Sequence, residues 1–238
     1  MLSERLRSLF RRDNGTVSYE PKPAASQSTA AMRAVAAASG KNRNQRAAPV
    51  TRQSRGLEQF FYNLRDIVGL SILDCAGANQ DNIDFLINLG HKVYSQDLVR
   101  NLDDCFQDIS EQTNPGRIEY FLKQNLDYPP ESIDGALLWD SLQFMSAPLL
   151  NAVVERLFEV MKPQSYLLAF FTATEKMTDV PSHSFRIADN KTIVLAERDV
   201  RPAGQVFNNR SLEKLFGKFE SVKFFLTRES LREVIVRR

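Results

Sequence analysis

Leu70-Ser-Ile-Leu-Asp74-Cys-Ala-Gly77-Ala-Asn-Gln80-Asp-Asn82 decides the fold. Its first six residues are an apolar run of strand length that ends at a carboxylate. A loop of small residues follows, and Ile83, Leu86 and Ile87 then share one face of a helix that Gly90 is placed to end. His91 to Gln96 reads as a second strand, closed by Asp97. In an open α/β sheet, ligands sit beyond the carboxyl ends of the strands, where the strand order reverses. Small residues in the loop let backbone approach a ligand, and the helix N-terminus favours polar or anionic groups. An acid about 20 residues after such a turn is placed to accept the ribose hydroxyls of a nucleoside; the plainer role for Asp97 is a solvated turn carboxylate. A dinucleotide fingerprint would need G-x-G-x-x-G, and only Gly77 stands here.

Outward from this unit, strand and helix patterns alternate. Leu57, Phe60, Phe61 and Leu64 mark an amphipathic helix before the first strand. After Asp97 come a polar helix (Val99 to Glu111), a turn at Pro115-Gly116, a third strand (Arg117 to Leu122) and a fourth (Ser132 to Leu138). Ser146-Ala-Pro148 opens a strong helix whose buried positions are Leu149, Leu150, Val153, Val154, Leu157 and Met161. Lys162-Pro163 closes it, Tyr166 to Phe171 is a fifth strand, and an irregular stretch leads to a helix at Ser211 to Phe216. Ser221 to Thr227 and Glu233 to Arg238 are β-rich and close enough to pair. The alternation predicts a doubly wound, mainly parallel α/β sheet covered on both faces, finished by an antiparallel pair.

Of 238 residues, 43% are hydrophobic and 25% charged, which excludes a wholly disordered or collagen-like chain. No apolar run is long enough for a transmembrane helix. Two cysteines make neither a disulfide framework nor a metal-ligand set, so a reducing, cytoplasmic setting fits and no metal site is expected. The net charge of +2 hides an asymmetry: residues 1–55 hold 11 Lys/Arg against three acids. From Asp13 to Arg55 large apolar residues are nearly absent, which predicts a disordered basic tail over 1–55 and a folded domain over 56–238. At the start, Met1, Leu2, Leu6, Leu9 and Phe10 share a helix side flanked by arginines. That is a short amphipathic helix suited to an anionic partner or membrane surface, or a frayed terminus with a chance pattern. Nucleic acid is not the expected partner, because the rest of the chain is net acidic and lacks an aromatic–basic recognition motif.

Five elements in order resemble the class I S-adenosylmethionine-dependent methyltransferases. That family's D-x-G-x-G-x-G is similar to Asp74-Cys-Ala-Gly-Ala-Asn-Gln80, and its G-H-x-V-x-x-x-D to Gly90-His-Lys-Val-Tyr-Ser-Gln-Asp97. Its P-x-x-S-F-D-x-V-L-x-W-D-x-L is similar to Pro129 through Leu142, its L-K-P-G-G to Met161-Lys-Pro163-Gln-Ser165, and its F-x-x-R-x-L-x-x-L-F to Phe207 through Phe216. The resemblance spans about residues 57–238. It implies a seven-stranded sheet with an antiparallel last strand, S-adenosylmethionine as cofactor, and methyl transfer to a small-molecule acceptor. Residue by residue, it implies that Asp74 stabilises the first loop and that Ala76, Gly77 and Ala78 line the methionine portion. Asp97 would hold the ribose with Leu98 beside the adenine. Asn125 and Leu126 would lie at the adenine-contacting turn after the third strand, and Leu138, Trp139 and Asp140 would end the fourth strand beside the transferred methyl.

The family's three loop glycines stand here as Ala76, Ala78 and Gln80, and Leu122 stands where an acid often follows the third strand. His183, in a segment where such folds carry substrate contacts, is a candidate general base, with a solvated loop histidine as its plainer role; Asp140 is a second candidate catalytic residue. Trp139 fits a packing residue as well as a ligand platform. Two functions stand open at this point: a methyltransferase, or a non-catalytic methyltransferase-like module that interacts through its basic tail.

Overall fold

The computed structural model describes residues 48–173, 179–227 and 231–238. Most of the predicted tail, including the amphipathic segment at 1–12, lies outside the described residues. Its last residues do not behave as tail. Val50–Gln53 form strand β1, and Ser54 caps helix α1 (Arg55–Leu64) by accepting from the Leu57 N–H.

The main sheet follows the predicted alternation. Strand β2 (Ser71–Asp74) leads to α2 (Gln80–Asn88), β3 (Lys92–Ser95) to α3 (Leu98–Cys105), and α4 (Pro115–Asn125) to β4 (Ile133–Trp139). Helix α5 (Ala147–Val160) runs into β5 (Met161–Thr172), and the chain closes with α6 (Asn209–Leu215), β8 (Ser221–Leu226) and β9 (Leu231–Arg237). Six strands lie in the order β3-β2-β4-β5-β9-β8. The first four are parallel; β9 runs antiparallel to both β5 and β8.

The expected seventh strand is a helix. Arg117–Leu122 lies inside α4 because Asn114 accepts from the Gly116 and Arg117 N–H groups and Pro115 occupies the first turn. Ile118, Phe121 and Leu122 then repeat at helical spacing, with Phe121 fully buried. Among the described residues six strands therefore replace seven in this sheet, and none lies beyond β3.

Alternate residues of the central strands serve two cores. Ala136, Leu138, Leu167, Ala169, Phe171, Val234 and Val236 pack with α3–α6. Leu137, Trp139, Leu168, Phe170, Leu231 and Ile235 face the other way, toward α1 and α2. On that second face lies a smaller antiparallel sheet, β1-β7-β6, built from β6 (Asp179–Asp189), β7 (Thr192–Pro202) and β1. The sequence suggested only an irregular stretch here. Yet Phe185 and Ile187 alternate with Ser184 and Arg186 before Asp189-Asn190-Lys191, Ile193 and Leu195 follow it two apart, and those four join the second core. Among the described residues no helix is long and apolar enough to cross a membrane.

Candidate functional site

At the carboxyl end of β2, Asp74 is buried and fully engaged. Its Oδ1 accepts from the Ala76 N–H (3.1 Å) and the Trp139 indole (2.6 Å), and its Oδ2 from Asn82 Nδ2 (3.0 Å). Burial pushes this carboxyl above the usual aspartate value, against those three donors. In the loop that follows, only Gly77 needs left-handed backbone (φ 88°). A Cβ there would sit 3.0 Å from Asp97 Oδ2. Ala76, Ala78 and Gln80 have no positive φ, so alanine and glutamine cost the loop no strain. Gln80 is the first residue of α2, exposed, and donates to Asp84 (2.6 Å); Ala78 is exposed too.

Loop and second strand are knitted together. Gly77 N–H donates to Gln96 O, Gln96 N–H donates to Asp74 O, and Ala76 bridges Asp97. Asp97 caps α3 by accepting from the Arg100 N–H (3.0 Å). Its other oxygen accepts from Arg198 Nη2 (3.2 Å) of β7. Leu98, beside it, is buried. Asn125 and Leu126 end a helix rather than follow a strand, which corrects their expected setting. Asn125 accepts from Asn101 of α3 and donates to Phe121 O, while Leu126 packs in the first core. Both brace α3.

Trp139 ends β4 with φ 51°, an uncommon conformation for a large side chain. The indole hydrogen bond to Asp74 and a stack on Phe185 of β6 (4.9 Å, 15°) hold it there. Leu138 turns to the opposite core. Next, Asp140 Oδ2 accepts from the His183 backbone N–H (2.8 Å) and lies 3.2 Å from His183 Nδ1. The two residues singled out for catalysis, 43 positions apart, thus meet. Burial raises the Asp140 carboxyl above its ordinary value, and His183 opposes that rise.

Sequence reasoning missed the residues that seat β6 and β7 on this end of the sheet. Asn79 and Asn82 donate to Phe185 O (3.3 and 3.2 Å), and Ile187 N–H donates to Asn82 Oδ1 (2.8 Å). Two asparagines three residues apart at the start of α2, the first of them its cap, were the available signal. Two buried groups beside the Asp140–His183 pair have no partner among the described residues: Gln143 Nε2 and Ser182 Oγ. Gln143 cannot be turned to relieve this, because its Oε1 already accepts from the Thr172 N–H (2.9 Å). Cys75 is a buried thiol whose acidity burial suppresses strongly, and His91 lies at the far end of the sheet. Among the described residues no His/Cys/Asp/Glu cluster could hold a metal.

No protein-family model matches the chain, and no curated protein does. Solved structures similar to it are S-adenosylmethionine-dependent methyltransferases. The 1,6-didemethyltoxoflavin-N1-methyltransferase of Burkholderia thailandensis, crystallised with 1,6-didemethyltoxoflavin and S-adenosylhomocysteine, is 11% identical. The match covers 77% of this chain and 76% of that one, with a TM-score of 0.44. A methyltransferase from Methanosarcina mazei is 14% identical over 75% of this chain and 96% of that one, also at 0.44.

Proposed function

We propose that the chain is an S-adenosylmethionine-dependent methyltransferase acting on a protic small-molecule acceptor. The observation that carries this is the contact of His183 with Asp140 at the end of β4, beside the Asp74–Gly77–Asp97 turn. The donor set suits the cofactor. Asp97 would take the ribose hydroxyls, the backbone of Ala76, Gly77 and Ala78 would flank the methionine portion, and Leu98 would lie against the adenine. When bound, the cofactor supplies an already activated methyl group, so the protein's task is positioning and proton removal. With Asp140 ionised, Nδ1 of His183 carries the proton donated to Oδ2. Nε2 then has its lone pair for the proton of an acceptor hydroxyl or amine. Titration calorimetry of the full chain with S-adenosylmethionine and S-adenosylhomocysteine tests the reading. Saturable binding of both is expected; no heat at millimolar ligand would overturn it.

One pair of observations favours a second reading, a non-catalytic module of the same fold whose basic tail engages an anionic partner. Phe185 covers Trp139, and Arg198 already neutralises Asp97. Absence of S-adenosylhomocysteine binding by the folded full chain would decide for this second reading.

A further inference from the structure

The contacts that β6 and β7 make with the main sheet fall on the proposed ligand groups one by one: Phe185 on Trp139, His183 on Asp140, and Arg198 on Asp97. The last of these depends on a local irregularity. Ser182 pairs with Asp199 and His183 with Glu197, so Arg198 is the extra residue of a bulge in β7. A bulge re-aims a side chain and breaks the strand's alternation, and bulges recur beside functional sites. Here it sends a guanidinium across to the carboxylate that closes β3.

Arg198 and a ribose would compete for the same carboxylate, Asp97. Its Oδ1 is held by the start of α3, and Oδ2, the oxygen nearest Gly77, is held by Arg198. We infer that Arg198 is a latch on the nucleoside site. It holds the oxygen of Asp97 that is not engaged by α3 and competes with a nucleoside for it, so it lowers the affinity of that site. The inference rests on the proposed cofactor site, and it predicts an arginine whose removal strengthens binding. An arginine that itself gripped the ligand would give the reverse. The pair is partly solvated, with side-chain exposures of 35% and 23%, so the opposition it offers is modest.

The test compares the full chain with Arg198→Met, which keeps the stem without the charge, and Arg198→Lys, which keeps the charge. Calorimetry with S-adenosylhomocysteine should show Arg198→Met binding about fivefold tighter than the parent, the most a half-exposed ion pair withholds. Arg198→Lys should stay near the parent value. Equal or weaker binding by Arg198→Met overturns the latch. If no variant binds, the cofactor proposal falls and Trp139, the single tryptophan of the chain, decides the latch instead. It lies under Phe185 on the same small sheet, so releasing Arg198 should raise its quenching by acrylamide. Unchanged quenching in that case overturns the latch as well.

Discussion

Of the ion pairs that tie the small sheet to the rest of the fold, two are built differently. At one end Arg52 of β1 meets Glu233 of β9 at 3.0 Å, with side-chain exposures of 11% and 0%. The same carboxylate accepts from the Ser54 hydroxyl (3.0 Å) and the Gly56 N–H (2.6 Å), where α1 begins. A Cβ on Gly56 would press on Glu233 and Leu168, so the helix start lies directly against the carboxylate. At the other end the Arg198–Asp97 pair is partly open to solvent and, among the described residues, Oδ2 has no further side-chain donor. Water can replace the partners of the second pair but not those of the first. One pair is an anchor and the other can be exchanged for a ligand, which is the division of labour a site under a cover requires.

The anchor is where the comparison breaks most visibly. Glu233→Ala breaks a buried ion pair and takes the shared acceptor from the Ser54 hydroxyl and the Gly56 N–H, and should cost about 3–5 kcal/mol of stability. Arg198→Met should stay within about 1 kcal/mol of the parent. Urea unfolding of both measures the contrast, and similar losses would show that the two pairs are equivalent.

Next in size is Asp97. If it holds a ribose, Asp97→Ala should lose about 1.5–3 kcal/mol of S-adenosylhomocysteine affinity, the range for hydrogen bonds to a charged group. Because Asp97 also caps α3, the same change should lower stability by about 1 kcal/mol. Asp97→Asn keeps the cap, so its stability should return to near the parent value. Unaltered cofactor affinity in Asp97→Ala would take the residue out of the site.

The anchor, the latch and the nucleoside turn were unequally legible in the sequence. Asp74, Gly77 and Asp97 could be read because strand, turn and helix are local, and their spacing survives folding. Asp140 and His183 could be nominated by residue type, but their meeting depends on β6 crossing the end of β4. The α4 segment was misread because Tyr120, Phe121 and Leu122 look strand-like until Asn114-Pro115 is recognised as a helix start. Arg198 was invisible, since a bulge is a property of register between two strands. Glu233 reads as an ordinary charged residue beside Arg232 at the start of an apolar run; only the fold reveals that three donors surround it.

A smaller effect sharpens the loop's part in the comparison. Ala76, Ala78 and Gln80 replace the glycines of the family that the sequence resembles, and none of them needs left-handed backbone. Replacing all three by glycine should therefore loosen the unfolded chain without relieving strain, costing about 0.4–1 kcal/mol at each site. Binding of S-adenosylhomocysteine should not improve. Tighter binding by the triple variant would mean that the present side chains crowd the ligand.

The smallest effect separates the anchor's charge from its hydrogen bonds. Burial raises the Glu233 carboxyl above the ordinary glutamate value of 4.5, and the donors from Gly56, Ser54 and Arg52 only partly oppose this. A carboxyl that binds its proton more tightly in the folded state than in the unfolded one favours folding at low pH. That contribution is complete below 4.5 and is lost as pH rises through the raised folded value. Asp74 and Asp140 are shifted the same way, and Asp108 and Asp189 the opposite way, so the parent's pH profile sums several groups. Glu233→Gln removes one of them while keeping an oxygen for Ser54 or Gly56. Subtracting the two stability profiles should leave a difference that changes steadily from pH 4.5 upward and flattens below it, with the parent losing ground relative to Glu233→Gln as pH rises. A difference independent of pH would mean that the anchor's donors fully offset its burial, and that Glu233 is held as comfortably charged as a carboxylate in water.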